Sequence, residues 1–107
     1  MDEKTNLVSD AFKTFMTDAP EHAKAWSEVV QSLSRASALD IKTSELAYIS
    51  VLAALNRVSG IPFHVTSVKE VGATREEIIS AILVGLPAAG HIVTQALPAA
   101  VQAYDAN

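Results

Sequence analysis

Leu46-Ala47-Tyr48-Ile49-Ser50-Val51-Leu52-Ala53-Ala54-Leu55 is the stretch that decides the fold. It is apolar almost all round and carries three alanines, so it predicts a helix buried on every side rather than a strand. Asp40 to Thr43 supplies candidate N-terminal caps, and Asn56 to Gly60 supplies the break that ends it.

The pattern on either side is also helical. After the break, Pro62 is tolerated only in the first turn of a helix, and Val65, Val68 and Val71 carry that helix to Gly72, a natural left-handed cap. Thr74-Arg75-Glu76-Glu77 has the Thr-x-x-Glu form of a capping box and predicts a fifth helix running to about Leu86. Pro87 and Gly90 then separate it from a sixth helix over about residues 90–104. On the N-terminal side, Leu7, Val8, Ala11, Phe12, Phe15 and Met16 predict an amphipathic helix over about residues 5–18. Asp18-Ala19-Pro20 punctuates it, and Ala23, Trp26, Val29, Val30 and Leu33 predict a second helix from Pro20 to the region of Ser34 to Ala38. The expected fold is all-α, about six helices in a single domain over residues 1–107, with no internal repeat.

Charge is distributed unevenly: thirteen charged residues lie in residues 1–45 and seven in residues 46–107. The second half therefore reads as interior or interface, and a domain of this size with so few charges to cover it is expected to form a homo-oligomer. The net charge of −4 disfavours nucleic acid as a partner. There is no cysteine, which removes disulfides and any thiol redox chemistry carried by the chain and fits a cytoplasmic protein. The N-terminus, Met1-Asp2-Glu3-Lys4-Thr5, lacks the plan of a secretory signal. Ile78 to Tyr104 contains no Asp, Glu, Lys or Arg and is long enough to span a bilayer, but Pro87, Gly90, His91 and Pro98 interrupt it, and it reads as two buried helices with no membrane partner.

The residues able to do chemistry form a spaced set. Glu45 is followed at twelve, fifteen and nineteen residues by Arg57, Gly60 and His64, with Gly72 beyond. Gly60 and His64, four apart, share one helix face, with Gly60 near the positive end, where open space and exposed backbone N–H groups would suit an anion. Glu45 and His64 read either as a proton-transfer pair or as a capping carboxylate and a satisfied core histidine. Arg57 reads either as a two-point clamp for a carboxylate or as a solvated cation at a helix C-terminus. His22 carries no expected role. Glu45, His64 and His91 match no metal-ligand spacing, and no phosphate loop or nucleophilic serine motif is present, so neither a metal nor a cofactor is expected.

This spacing, between Lys42-Thr43-Ser44-Glu45-Leu46 and Gly72-Ala73-Thr74-Arg75-Glu76-Glu77-Ile78, closely resembles the carboxymuconolactone decarboxylase and alkylhydroperoxidase D superfamily over about residues 35–104. The resemblance implies an all-α fold around a helical hairpin, assembled as a homotrimer or homohexamer with sites near subunit interfaces. It also implies that Glu45 and His64 are catalytic as a proton relay, and that Arg57, Gly60 and His91 bind a small carboxylated substrate. His91, after a Gly90 that matches the family, reads either as reaching a neighbouring subunit's site or as a neutral histidine satisfied by a backbone partner at a helix N-terminus. In the peroxidase branch the places of Arg57 and Gly60 hold a Cys-x-x-Cys pair, so thiol peroxidase activity is not expected. Asn56-Arg57 resembles the decarboxylase branch. Gly60 and Ser80 depart from that branch, where Glu is usual at the first position and common at the second, and the departures remove candidate acids for protonating a substrate carbon. The expected activity is that of a cofactor-free lyase or isomerase; the alternative is a non-catalytic oligomeric module that binds a small acid or a protein.

Overall fold

The structure, a computed structural model, describes residues 7–106. Its helices run in the order α1 (Asp10–Asp18), α2 (Pro20–Ala36), α3 (Ile41–Ala54), α4 (Ile61–Glu70), α5 (Arg75–Leu83), the single turn α6 (Leu86–Ala89) and α7 (Leu97–Asp105). Short 3₁₀ segments at Val58–Gly60 and Gly90–Ala96 precede α4 and α7. The all-α expectation holds, and the centre is the hairpin of α3 and α4, with α5 packed on α3 and α7 packed on both α4 and α5.

The helix ends follow from local chemistry. Asp40 Oδ1 accepts the Thr43 N–H at 2.7 Å and starts α3. At its other end Asn56 stands at φ 56°, the left-handed position usually given to glycine. The Asn56 N–H then donates to Ala53 O at 3.1 Å and the Arg57 N–H to Leu52 O at 2.8 Å, so the last carbonyls of α3 are satisfied. Gly72 (φ 99°) closes α4 by the same device, with the Gly72 and Ala73 N–H groups donating to Lys69 O and Val68 O at 3.0 Å each. The capping box at α5 is present in full: Thr74 Oγ1 accepts the Glu77 N–H at 3.1 Å, and Glu77 Oε1 accepts the Thr74 N–H at 2.9 Å.

Three boundaries differ from the sequence reading. α5 ends at Leu83, not near Leu86, and Pro87 stands in the first turn of α6, where its missing N–H costs nothing, rather than in a break. α1 starts at Asp10, not near residue 5, because the Ser9 hydroxyl accepts the Phe12 N–H at 3.2 Å and caps the helix there; Thr5 and Asn6 lie outside the described residues. The sixth helix over 90–104 is α-helical only from Leu97. Pro98 has no N–H to give the Thr94 carbonyl and its ring crowds that carbonyl, so the preceding residues take the 3₁₀ path.

The core comes entirely from residues 49–100. Ile49 and Ala53 of α3, Ile61, Val65 and Val68 of α4, and Ile78 and Ile82 of α5 meet Val93, Ala96 and Ala100. Each fully buried Ile or Val contributes roughly 1.5–3 kcal/mol of transfer free energy. The Ser50 hydroxyl, 2.6 Å from Ala81 O and 3.1 Å from Leu46 O, ties α3 to α5. Lys69 Nζ donates to Tyr104 O at 2.7 Å and Tyr104 Oη donates to Ala73 O at 3.2 Å, which fixes α7 against the end of α4.

The expectation that α3 is buried on every side is corrected. Tyr48, Val51 and Leu55 are exposed, because helices cover only the faces of α3 that point to α4, α5 and the second 3₁₀ segment. α1 and α2 pack on each other and contribute no buried residue; Trp26 is 53 % exposed and Leu33 65 %.

Arg75–Asp105 is long and apolar enough to cross a membrane by length and composition. As a straight helix its 31 residues would measure about 46 Å, beyond the longest dimension of 38 Å. The segment instead turns back between α5 and α7, with Gly90 at φ 79° and ψ −163°, a conformation suited to glycine.

Candidate active site

The α-helical period puts Glu45, Tyr48 and Leu52 on one stripe of α3 that borders α4, with Leu52 buried and Tyr48 at its exposed edge. His64 lies in the first turn of α4, two residues after Pro62. The two helices cross so that Glu45 Oε2 stands 3.1 Å from His64 Nδ1. A carboxylate only accepts, so Nδ1 carries the proton in this contact and the lone pair of the neutral ring lies on Nε2. The side chains are 29 % and 25 % exposed, which leaves the pair sheltered yet open to a small molecule. No described residue engages Nε2.

Two aromatic rings border the imidazole. Tyr48, one turn beyond Glu45, has its ring centroid 4.6 Å from that of His64 at an interplanar angle of 53°. Phe63 meets the imidazole edge to face at 5.3 Å and 76°. Neither had been singled out from the sequence. The signal for Tyr48 was its three-residue spacing from Glu45 on an apolar helix.

The structure brings together Glu45 and His64 but not the other residues of the spaced set. Arg57 is exposed on the turn between α3 and α4, and no described carboxylate pairs with its guanidinium. His91 is exposed at the start of the second 3₁₀ segment, without a described contact to Glu45 or His64. Among the described residues no three metal-ligating side chains converge.

The expectation of open space and free N–H groups at Gly60 is corrected. A Cβ there would stand 3.3 Å from Leu52 Cδ1, so the leucine crowds the space beside Gly60. The Gly60 N–H donates to Arg57 O at 3.2 Å, the Ile61 N–H donates to Val58 O, and Pro62 has none. The 3₁₀ turn before α4 thus consumes the donors that an anion at the helix start would need. Ser80 is remote from the pair. It lines an open, mostly apolar groove of about 510 Å³ between α3 and α5 with Leu46, Ala47, Ser50, Ala81 and Val84, across α3 from Glu45.

The profile of the carboxymuconolactone decarboxylase family matches residues 20–103, from the first residue of α2 almost to the end of α7. The chain belongs to the carboxymuconolactone decarboxylase family. The fold of this carboxymuconolactone decarboxylase family protein is similar to that of apo-lpg0406, a carboxymuconolactone decarboxylase family protein from Legionella pneumophila. The TM-score is 0.78 at 24 % identity, over 99 % of this chain and 97 % of that one. No curated protein matches. Within the family, this chain has no cysteine anywhere, so a Cys-x-x-Cys peroxidase reaction has no sulfur to use.

Proposed function

We propose that this family member is a lyase- or isomerase-like enzyme that acts without a cofactor on a small carboxylated substrate. The observation that carries the reading is the 3.1 Å contact between Glu45 and His64 with Nε2 engaged by no described residue. In this reading Nε2 accepts a proton from a substrate carbon acidified by a neighbouring carbonyl. The electron pair stays on the substrate as an enolate, and Glu45 offsets the positive charge that develops on the ring. Return of the proton to a different carbon completes an isomerisation. In a decarboxylation no proton is abstracted first: the bond to the substrate carboxylate breaks, carbon dioxide leaves, the bond pair stays on the substrate as the enolate, and protonated His64 delivers the proton to that carbon.

Arg57, whose guanidinium pairs with no described carboxylate and which stands just ahead of the helix that carries His64, is the proposed clamp for the substrate carboxylate. Gly60 supports this role less, because its N–H and the space beside it are both taken within the chain. His91 is proposed to serve the site of a neighbouring subunit in a homotrimer or homohexamer. The exposed apolar faces of α2 and of outer α3 support such self-association.

A thermal-shift screen of small lactones and dicarboxylates tests the reading. Ligand at a hundred times its Kd stabilises by about 2.7 kcal/mol. The expected result is saturable stabilisation that is lost in both His64→Ala and Arg57→Ala. A second reading, a non-catalytic module that binds a small acid or a protein, is favoured by Leu52 crowding the space beside Gly60. Binding retained in full by His64→Ala would decide for it.

A further inference from the structure

We infer that Tyr48 is a positioning residue whose ring holds the His64 imidazole with Nδ1 on Glu45 and Nε2 free. The inference rests on the Glu45–His64 pair being the working site. Three observations carry it. The Tyr48 ring lies 4.6 Å from the imidazole, in ring-to-ring contact. Tyr48 is 47 % exposed and stands outside the core cluster, so filling the interior does not account for an aromatic side chain at this position. No described residue hydrogen-bonds its hydroxyl, so the ring and not the phenol makes the contact.

The physical need for such a holder comes from the imidazole itself. Rotation of the ring by half a turn about its bond to Cβ exchanges nitrogen for carbon opposite Glu45, and the free imidazole prefers to carry its proton on Nε2. A single partly exposed hydrogen bond, worth about 0.5–1.5 kcal/mol, opposes both changes only weakly. A ring tilted at 53° against the imidazole restricts the rotation, excludes water from that side and strengthens the Nδ1–H to Oε2 bond. Tyr48 is placed for this because it stands one turn after Glu45 on the same stripe of α3, so one helix supplies both the acceptor and the wall. Phe63 adds an edge contact from α4.

The test is long-range ¹H–¹⁵N correlation spectroscopy of the full-length protein, with His64 signals assigned by their loss in His64→Gln. Wild type and Tyr48→Phe are expected to show Nδ1–H as the major neutral tautomer, and Tyr48→Ala is expected to invert the ratio in favour of Nε2–H. Tyr48→Leu, which keeps bulk without an aromatic face, serves beside it, with circular dichroism reporting the helices of each variant. An unchanged tautomer ratio in both folded Tyr48→Ala and Tyr48→Leu overturns the inference and leaves the pair intact. Inversion in Tyr48→Phe assigns the effect to the hydroxyl and overturns it as well. A wild-type protein with Nε2–H dominant removes the pair itself, an outcome distinct from failure of the holder alone.

Discussion

Glu45 and His64 are nineteen residues apart in the chain and 3.1 Å apart in space, joined across the contact of α3 and α4. Their meeting depends on the turn between those helices, which reverses the chain within six residues, from Leu55 to Gly60. The first two predictions test that turn.

Asn56 holds the left-handed position at φ 56°, where a β-branched residue is strained and glycine is not. Asn56→Gly is expected to leave stability within about 0.5 kcal/mol of wild type, whereas Asn56→Val is expected to cost about 1–2 kcal/mol. Urea midpoints at one fixed protein concentration check both. Equal stability of the two variants would contradict the assignment of the turn.

Leu52 occupies the space beside Gly60, with Cδ1 3.3 Å from where a Cβ would stand. Gly60→Glu, which restores the acid usual in the resembling decarboxylase branch, is expected to destabilise by about 1–3 kcal/mol through overpacking. The pair Gly60→Glu with Leu52→Ala is expected to lose less than the sum of the two single changes, read from a double-mutant cycle of urea midpoints. Strict additivity would show that the two positions do not share the space.

How far the sequence carried the fold is clear at these same positions. Thr74 and Glu77, Asp40, and Gly72 announced their caps because each acts within a few residues, so their chemistry is local and readable. The helix type of Gly90–Ala96 was missed because apolar spacing is similar in 3₁₀ and α segments, and Pro98 exerts its effect backward along the chain. Glu45 and His64 were legible through their spacing. Tyr48 and Leu52 were not, since an apolar helix offers no mark of which side chains face a partner helix until the crossing of α3 and α4 is known.

The N-terminal hairpin offers a third prediction. Trp26 and Leu33 lie exposed on α2, which has no buried residue, and the proposed assembly covers them. Trp26→Asp with Leu33→Asp is expected to lower the molar mass measured by light scattering to that of one chain, with helix content retained. An oligomer of unchanged mass would contradict the proposed interface.

Acid should weaken the protein in a defined direction. The backbone N–H of Thr74, and next Lys42, hold the Glu77 carboxyl below its ordinary range. Arg75, bonded to Asp105 at 3.0 and 3.1 Å, does the same for that carboxyl. Folded-state values below the unfolded ones mean that the unfolded chain binds more protons. The added stability is therefore present above the unfolded values and is lost as pH falls through the folded ones. Urea midpoints are expected to decline on acidification through and below the ordinary carboxylate range, and to decline less steeply in Glu77→Gln with Asp105→Asn. An equally steep decline in the double variant would contradict this origin.

The ¹⁵N spectrum of His64 in wild type and Glu45→Ala tests the central claim most directly, because it reads the contact and requires no knowledge of the substrate. The account predicts Nδ1–H as the major neutral tautomer in wild type, giving way to Nε2–H when the carboxylate is removed. A tautomer ratio indifferent to Glu45 would mean that the two side chains do not work as a pair, and the proposed proton relay would fall with them.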